Sequence, residues 1–236
     1  MENDQWLING SPKGRALETS DFKRHTMLLP PLTEGEVLVK VEMLSFDPSQ
    51  KGQMENVGYA AETEFGQVMN ATGVGEVVES NVDRFPIGAK VMGSLGWQRY
   101  AVMAAQKLEV ITGDAPLAAH LGPLGGTGLT AYFGLLDLGL PKAGETVLIS
   151  GAAGATGSTV GQIAKLLGCR VIGIAGGQAK CQWLIDELGY DAVIDYKSDS
   201  VEQQLQEVCK NSIDLFFDNV GGEILDHALV NMANNG

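Results

Sequence analysis

Cysteine is scarce: three in 236 residues, an odd number with no Cys-x-x-Cys spacing, which implies no disulfide framework. Histidine is equally sparse. His25, His120 and His227 are scattered, none beside a cysteine or four residues from another histidine. A closed zinc site is therefore not expected, and each histidine reads as a surface or loop residue. Positive charge is short as well. The 16 Lys and Arg residues stand against 29 Asp and Glu, and the net charge of −13 argues against nucleic acid or an anionic membrane as main partner. Either would need a basic face to release counterions. No stretch approaches the roughly 18 uninterrupted apolar residues of a membrane span. Residues 1–10 are polar with two acids and do not read as a signal peptide. The expectation is a soluble, cytoplasmic protein.

Glycine, by contrast, is abundant, with 31 residues, nearly twice the usual share, favouring tight turns and close backbone approach to ligands. With 44% hydrophobic and 19% charged residues the chain is globular, and its length suits two domains. Residues 1–120 read as short strands separated by glycine turns: 5–9, 22–29, 36–44, 67–79, 90–92 and 98–102, with loop chemistry over 45–52 around Asp47-Pro48. That is the pattern of a β-barrel-like domain. Near Leu121 it changes to helices alternating with buried strands, giving 121–236 as a second, α/β domain. A helix over 130–138 leads into it.

The second domain is organised around residues 146–177, TVLISGAAGATGSTVGQIAKLLGCRVIGIAGG. Two β-branched apolar runs flank a segment in which Val160, Ile163, Ala164 and Leu167 recur at helical spacing up to Gly168. The order is strand, tight turn, helix, strand. The turn 152–157 carries the G-x-G-x-x-G fingerprint with alanine in the first glycine position. Gly154 lets the backbone approach a pyrophosphate, Gly157 lets the helix pack on the strand, and the free N–H groups at the helix start suit an anion. An NAD site usually ends the second strand with an acid, whereas Ala175-Gly176-Gly177 stand there, followed by Lys180. A cation without a neighbouring carboxylate favours the 2′-phosphate of NADP. Read as structure alone, Lys180 is a solvated residue in the first turn of a helix. Beyond this stretch the pattern predicts helices at 182–188, 200–209 and 223–232 and strands at 192–195 and 214–217.

The segments QWLINGSPKG, GEVLVKVEMLSFDPS, GEVVES, GLTAYFGLLDLGLPKAGETVLISGAAGATGS, VGQIAKLLGCRVIG and FFDNVGG, in this order, resemble the zinc-independent prostaglandin reductase, double-bond reductase and curcumin reductase group of the medium-chain dehydrogenase/reductase superfamily. The resemblance implies a GroES-like β-barrel domain followed by a Rossmann doubly wound parallel sheet. It implies NADPH as hydride donor and an α,β-unsaturated ketone or aldehyde as substrate. By position, Gly154, Ala155, Thr156 and Gly157 hold the pyrophosphate, Lys180 and Tyr196 the 2′-phosphate, and Asn219 lies beside the cofactor. On the residues alone, Tyr196 also reads as a surface aromatic at a strand end, and Asn219 as a turn residue before Gly221-Gly222.

Two departures stand out. The group reads Asp-Pro-Tyr-Met-Arg where this chain has Asp47-Pro48-Ser49-Gln50-Lys51, so Ser49 replaces a substrate-facing tyrosine. Tyr59 falls near a second tyrosine of the group and is the candidate donor to the enolate, or else a loop aromatic packed on the barrel. Relatives also continue past the end of this chain through further strands, including the usual dimer strand, so a truncated chain is expected and no oligomeric state is implied. Rival readings are a zinc-free quinone reductase and a non-catalytic nucleotide-binding homologue.

Overall fold

The computed structural model describes residues 1–56, 64–209, 212–234 and 236. They divide into two compact units, Met1–Leu121 and Gly122–Gly236.

In the first unit, β1 (Glu2–Ile8) pairs antiparallel with β2 (Phe22–Leu28). The strands β3 (Glu36–Leu44), β4 (Thr72–Ser80), β5 (Lys90–Ser94), β6 (Tyr100–Ala104) and β7 (Leu108–Val110) form an antiparallel sheet in the order β6-β3-β4-β5-β7. Alternation in β3 turns Val37 and Val39 into a core with Val77, Phe85, Val91, Leu95, Ala101 and Leu108, as period-two patterning requires. Asn3, 1% exposed, ties β1 to β6: its Nδ2 donates to the Tyr100 carbonyl at 2.8 Å and its Oδ1 accepts from the Tyr100 N–H at 2.9 Å. The turn between β1 and β2 closes on Asp21. Its carboxylate accepts from Arg15 Nη1 and Nη2 at 2.8 and 2.5 Å and from the Glu18 N–H at 2.8 Å. Two short helices, α1 (Pro48–Met54) and α2 (Leu117–His120), complete the unit.

The first helix corrects the loop expected over 45–52. Proline at the first helical position costs no hydrogen bond, because that N–H has no intrahelical partner. Gln50 Oε1 accepts from the N–H of Asp47, the residue before the helix, at 2.9 Å, and Gln50 Nε2 donates to the Asn70 carbonyl at 2.9 Å.

The second unit carries β8 (Thr146–Ile149), β9 (Arg170–Ala175), β10 (Ala192–Asp195) and β11 (Leu215–Phe217), all parallel, in the order β10-β9-β8-β11. Its helices are α3 (Gly126–Phe133), α4 (Ala155–Leu166), α5 (Gln178–Asp186), α6 (Val201–Cys209) and α7 (Gly222–Val230). Both sheet faces are covered. Val147, Ile149, Val171 and Ala175 pack with Ala131, Val160, Ala164 and Leu184 on one side. Leu148, Ile172, Ile174 and Ile194 pack with Leu205 and Ala228 on the other. This double burial explains why β8 and β9 read as continuous apolar runs. Where one helix was expected over 130–138, α3 starts earlier and passes into a wider π-helical turn, Gly134–Gly139. Both glycines pack closely there: a Cβ on Gly134 would stand 2.8 Å from the Phe217 ring and one on Gly139 2.5 Å from Leu215, so those side chains would have to shift.

Candidate functional site

The parallel sheet reverses its strand order at β8, with β9 on one side and β11 on the other. Ligands bind outside the carboxyl ends of the strands at such a point. The segment leaving β8 there is the glycine turn. Gly151 takes φ +57, in the left-handed region that favours glycine, and its carbonyl accepts from the Gly154 N–H at 2.9 Å. The sequence fingerprint placed alanine at the tight turn. The turning glycine is one residue earlier, and a glycine directly after the apolar run was the signal for it.

Gly154 precedes α4 with extended backbone, φ −82 and ψ 170, and the helix has no side-chain cap. The first-turn N–H groups of Ala155, Thr156 and Gly157 have no intrahelical acceptors, and with the positive end of the helix dipole they suit an anion. Gly157 is buried against the turn: a Cβ there would lie 2.5 Å from the Gly151 oxygen and 2.8 Å from Ala152 Cα. The Tyr190 hydroxyl, on a side chain 3% exposed overall, donates to the Gly157 carbonyl at 2.9 Å and holds α4 in place. Burial pushes that phenol well above its usual range.

Next to this helix start is a concavity of about 220 Å³ lined by Gly151, Ala153, Gly154, Ala175, Gly176, Lys180 and Tyr196. Three residues singled out from the sequence, Gly154, Lys180 and Tyr196, thus meet in one place. Lys180 sits in the acid-free first turn of α5 and has no ion-pair partner among the described residues. A cation there is opposed by the helix dipole. An anionic ligand would reverse that cost. Tyr196 lies across Gly176, where a Cβ would come 2.5 Å from its ring.

Asn219 lies two residues beyond the end of β11. Its Nδ2 donates to the Ser150 carbonyl at 2.8 Å, and its N–H donates to Ser150 Oγ at 2.7 Å. The Ser150 hydroxyl in turn donates to Asp218 Oδ1 at 2.7 Å, which also accepts from the Val220 and Gly221 N–H groups at 3.0 Å. Partial desolvation opposes ionisation of Asp218, but the Ser150 hydroxyl and these N–H groups outweigh it and hold its carboxyl below the usual range. The network fixes Asn219 beside Gly151. Neither Ser150 nor Asp218 stood out in the sequence, since a small hydroxyl and an acid at strand ends carry no distinctive pattern.

Ser49 belongs to the first unit and is exposed as the second residue of α1. Its neighbours Asp47, Pro48, Gln50 and Lys51 border an apolar cavity of about 410 Å³ with Met54, Met69 and Trp97, and Ser49 is not part of that lining. Tyr59 lies outside the described residues. Among the described residues no cluster of His, Cys, Asp or Glu could hold a metal ion, and no helix is long and apolar enough to cross a membrane.

A parallel sheet that reverses beside an uncapped, glycine-led helix defines a dinucleotide-binding domain, here preceded by an antiparallel β domain. Residues 4–111 match the family described as the N-terminal domain of oxidoreductase, and residues 155–236 the family described as zinc-binding dehydrogenase. The chain belongs to the medium-chain dehydrogenase/reductase superfamily, in the group of the curcumin, prostaglandin and 2-alkenal reductases. It is 40% identical over 233 residues to the NADPH-dependent curcumin reductase of Escherichia coli (strain K12), covering 97% of this chain and 67% of that protein. It is 42% identical over 222 residues to prostaglandin reductase 1 of Bos taurus, covering 92% and 65%. The crystal structure of CurA from Vibrio vulnificus in complex with NADPH superposes with a TM-score of 0.91 at 40% identity, over 98% of this chain and 69% of that one. The chain spans about two thirds of the length of these relatives. The fold expected from the resemblance, a GroES-like domain followed by a Rossmann parallel sheet, is the fold observed.

Proposed function

We propose that this chain binds NADPH in its second unit and serves reduction of the carbon–carbon double bond of α,β-unsaturated ketones or aldehydes. The observation that carries the cofactor half is the meeting of Gly154, Lys180 and Tyr196 in one pocket beside an uncapped helix start. The residues fit the dinucleotide. Glycine backbone and the N–H groups of Ala155, Thr156 and Gly157 take the pyrophosphate, Lys180 and Tyr196 take the 2′-phosphate, and Asn219 flanks the path towards the nicotinamide. When bound, NADPH supplies a hydride for the β-carbon of the substrate. The chain's own task at the substrate is then to stabilise the enolate, and a well-placed donor is commonly worth about 2.7–4 kcal/mol. We assign that donor role to Tyr59, and to Ser49 the widening of the wall where relatives carry tyrosine. The curcumin, prostaglandin and 2-alkenal reductases among the relatives support this substrate class.

The test is a screen of NADPH oxidation with conjugated enals, enones and quinones, with identification of the product. Saturated carbonyl products from enals or enones are expected. Turnover of simple alcohols alone, or turnover only after a metal is added, would contradict the proposal, and quinol products alone would replace it with quinone reduction.

A further inference from the structure

The sequence shows no acid at the end of β9, where a ribose-binding carboxylate usually stands. The structure places one across from it. Asp195, at the end of β10, pairs in register with Ala175. Its Oδ1 accepts from the Gly177 N–H at 2.8 Å and from the Lys197 N–H at 2.9 Å. We propose that Asp195 is a positioning residue for the phosphate end of the pocket, holding Lys180 and Tyr196 against the same ligand group; this rests on the NADPH reading given above.

Gly177 has φ +99 and ψ 142, a conformation that side-chain-bearing residues rarely adopt and that persists when surrounding contacts enforce it. Its N–H is held by Asp195, while its carbonyl accepts from the Lys180 and Cys181 N–H groups at 3.0 and 3.2 Å and so starts α5. Asp195 thus helps to set the direction of the first turn of α5, and with it the place of Lys180, alongside the core packing of Cys181 and Leu184. On the other side, Tyr196 follows Asp195 directly, and its N–H donates to the Ala175 carbonyl at 3.2 Å while its ring crosses Gly176. The two walls of the pocket that would touch a phosphate hang on the same residue.

Asp195 is itself braced from behind. Its N–H donates to Gln204 Oε1 at 3.1 Å, and Gln204 Nε2 donates to the Asp195 carbonyl at 3.0 Å. A carboxylate near a phosphate is ordinarily repulsive, yet Asp195 does not line the pocket, and Oδ1 is engaged by two N–H dipoles. Those hydrogen bonds hold its carboxyl below the usual carboxylate range, the Gly177 N–H contributing most. The group acts through the turn it fixes.

Asp195→Ala and Asp195→Asn separate acceptor geometry from bulk structure, because the Asn carbonyl can still accept both N–H bonds. Two readouts are needed: amide hydrogen exchange at Gly177 and Lys197 without ligand, and calorimetric affinity for 2′,5′-ADP against 5′-AMP. For Asp195→Ala, exchange at Gly177 should quicken by about tenfold or more. The 2′,5′-ADP affinity should fall by about fivefold or more while 5′-AMP stays within about twofold, and Asp195→Asn should stay within about twofold throughout. Unchanged 2′,5′-ADP binding in Asp195→Ala, equal losses for both nucleotides, or an Asp195→Asn variant as impaired as Asp195→Ala would each overturn the positioning role. An unaltered protein that does not prefer 2′,5′-ADP over 5′-AMP would instead overturn the NADPH reading, and this proposal with it.

Discussion

Replacing Gly157 with alanine probes the contact that sets the whole glycine turn. The added Cβ would meet the Gly151 oxygen at 2.5 Å and Ala152 Cα at 2.8 Å, and both are backbone atoms that cannot rotate away. Ordinary contact lies near about 3.5 Å, so the first turn of α4 must withdraw by about 1 Å. That shift also strains the 2.9 Å hydrogen bond from the Tyr190 hydroxyl to the Gly157 carbonyl. Overpacking of this kind costs about 1–3 kcal/mol, and the N–H groups that face the pyrophosphate move with the helix. Gly154→Ala is the contrasting variant. A Cβ there meets only the Gly151 oxygen, at 3.1 Å, on a residue with ordinary negative φ. Its stability should change by less than about 1 kcal/mol, while the methyl group occupies the approach of the phosphate. Urea denaturation followed by far-UV circular dichroism, together with NADPH titration, measures both effects. Gly157→Ala should lose stability and affinity, Gly154→Ala affinity alone. A Gly157→Ala protein as stable and as tightly binding as the parent would refute the close-packing argument.

Three further outcomes follow. Tyr190→Phe removes the hydroxyl's bond to the Gly157 carbonyl, which keeps its partner inside α4, and should cost about 0.5–1.5 kcal/mol in urea denaturation. In the first unit, the Arg15 guanidinium and then the Glu18 N–H hold the Asp21 carboxyl down to about 2. Because this pKa is depressed on folding, its stabilisation is complete above the ordinary carboxylate value and lost as pH falls through about 2. The stability gap between the parent and Asp21→Asn, read as urea midpoints, should accordingly be open at pH 6 and largely lost by about pH 2, and a gap that widens on acidification would contradict the assignment. Tyr59→Phe should lower kcat on enones by about tenfold or more with little change in cofactor affinity, as loss of a general acid does; unchanged turnover would remove Tyr59 from the mechanism.

Strong local patterns made much of the second unit legible. The strand–turn–helix–strand order of β8, α4 and β9 came from apolar runs bounding a helical repeat, and β10 was read at Ala192–Asp195 as observed. In the first unit, β3 was read at both ends because Val37, Val39 and Val41 alternate so regularly. What stayed hidden depends on contacts distant in sequence or on position within a turn. The helix α1 was masked by Pro48 and Gly52, breakers inside a helix, although proline at a first position is well tolerated. The three-residue β7 is too short to show a period. Asp195 looked like an unremarkable strand-end acid because its partners, Gly177 and Gln204, are named only by the fold. The resemblance set Lys180 and Tyr196 on one phosphate, and the parallel pairing of β9 with β10 is what brings them to one pocket.

On the proposed reading, the pocket beside the start of α4 recognises the 2′-phosphate. Calorimetric titration of the chain and of Lys180→Ala with NADPH and NADH tests it most directly. A hydrogen bond from a charged group is worth about 1.5–3 kcal/mol, so Lys180→Ala should weaken NADPH binding by about tenfold to a hundredfold and leave NADH nearly unchanged. Equal losses for the two cofactors, or a parent chain that binds NADH as tightly as NADPH, would contradict the account.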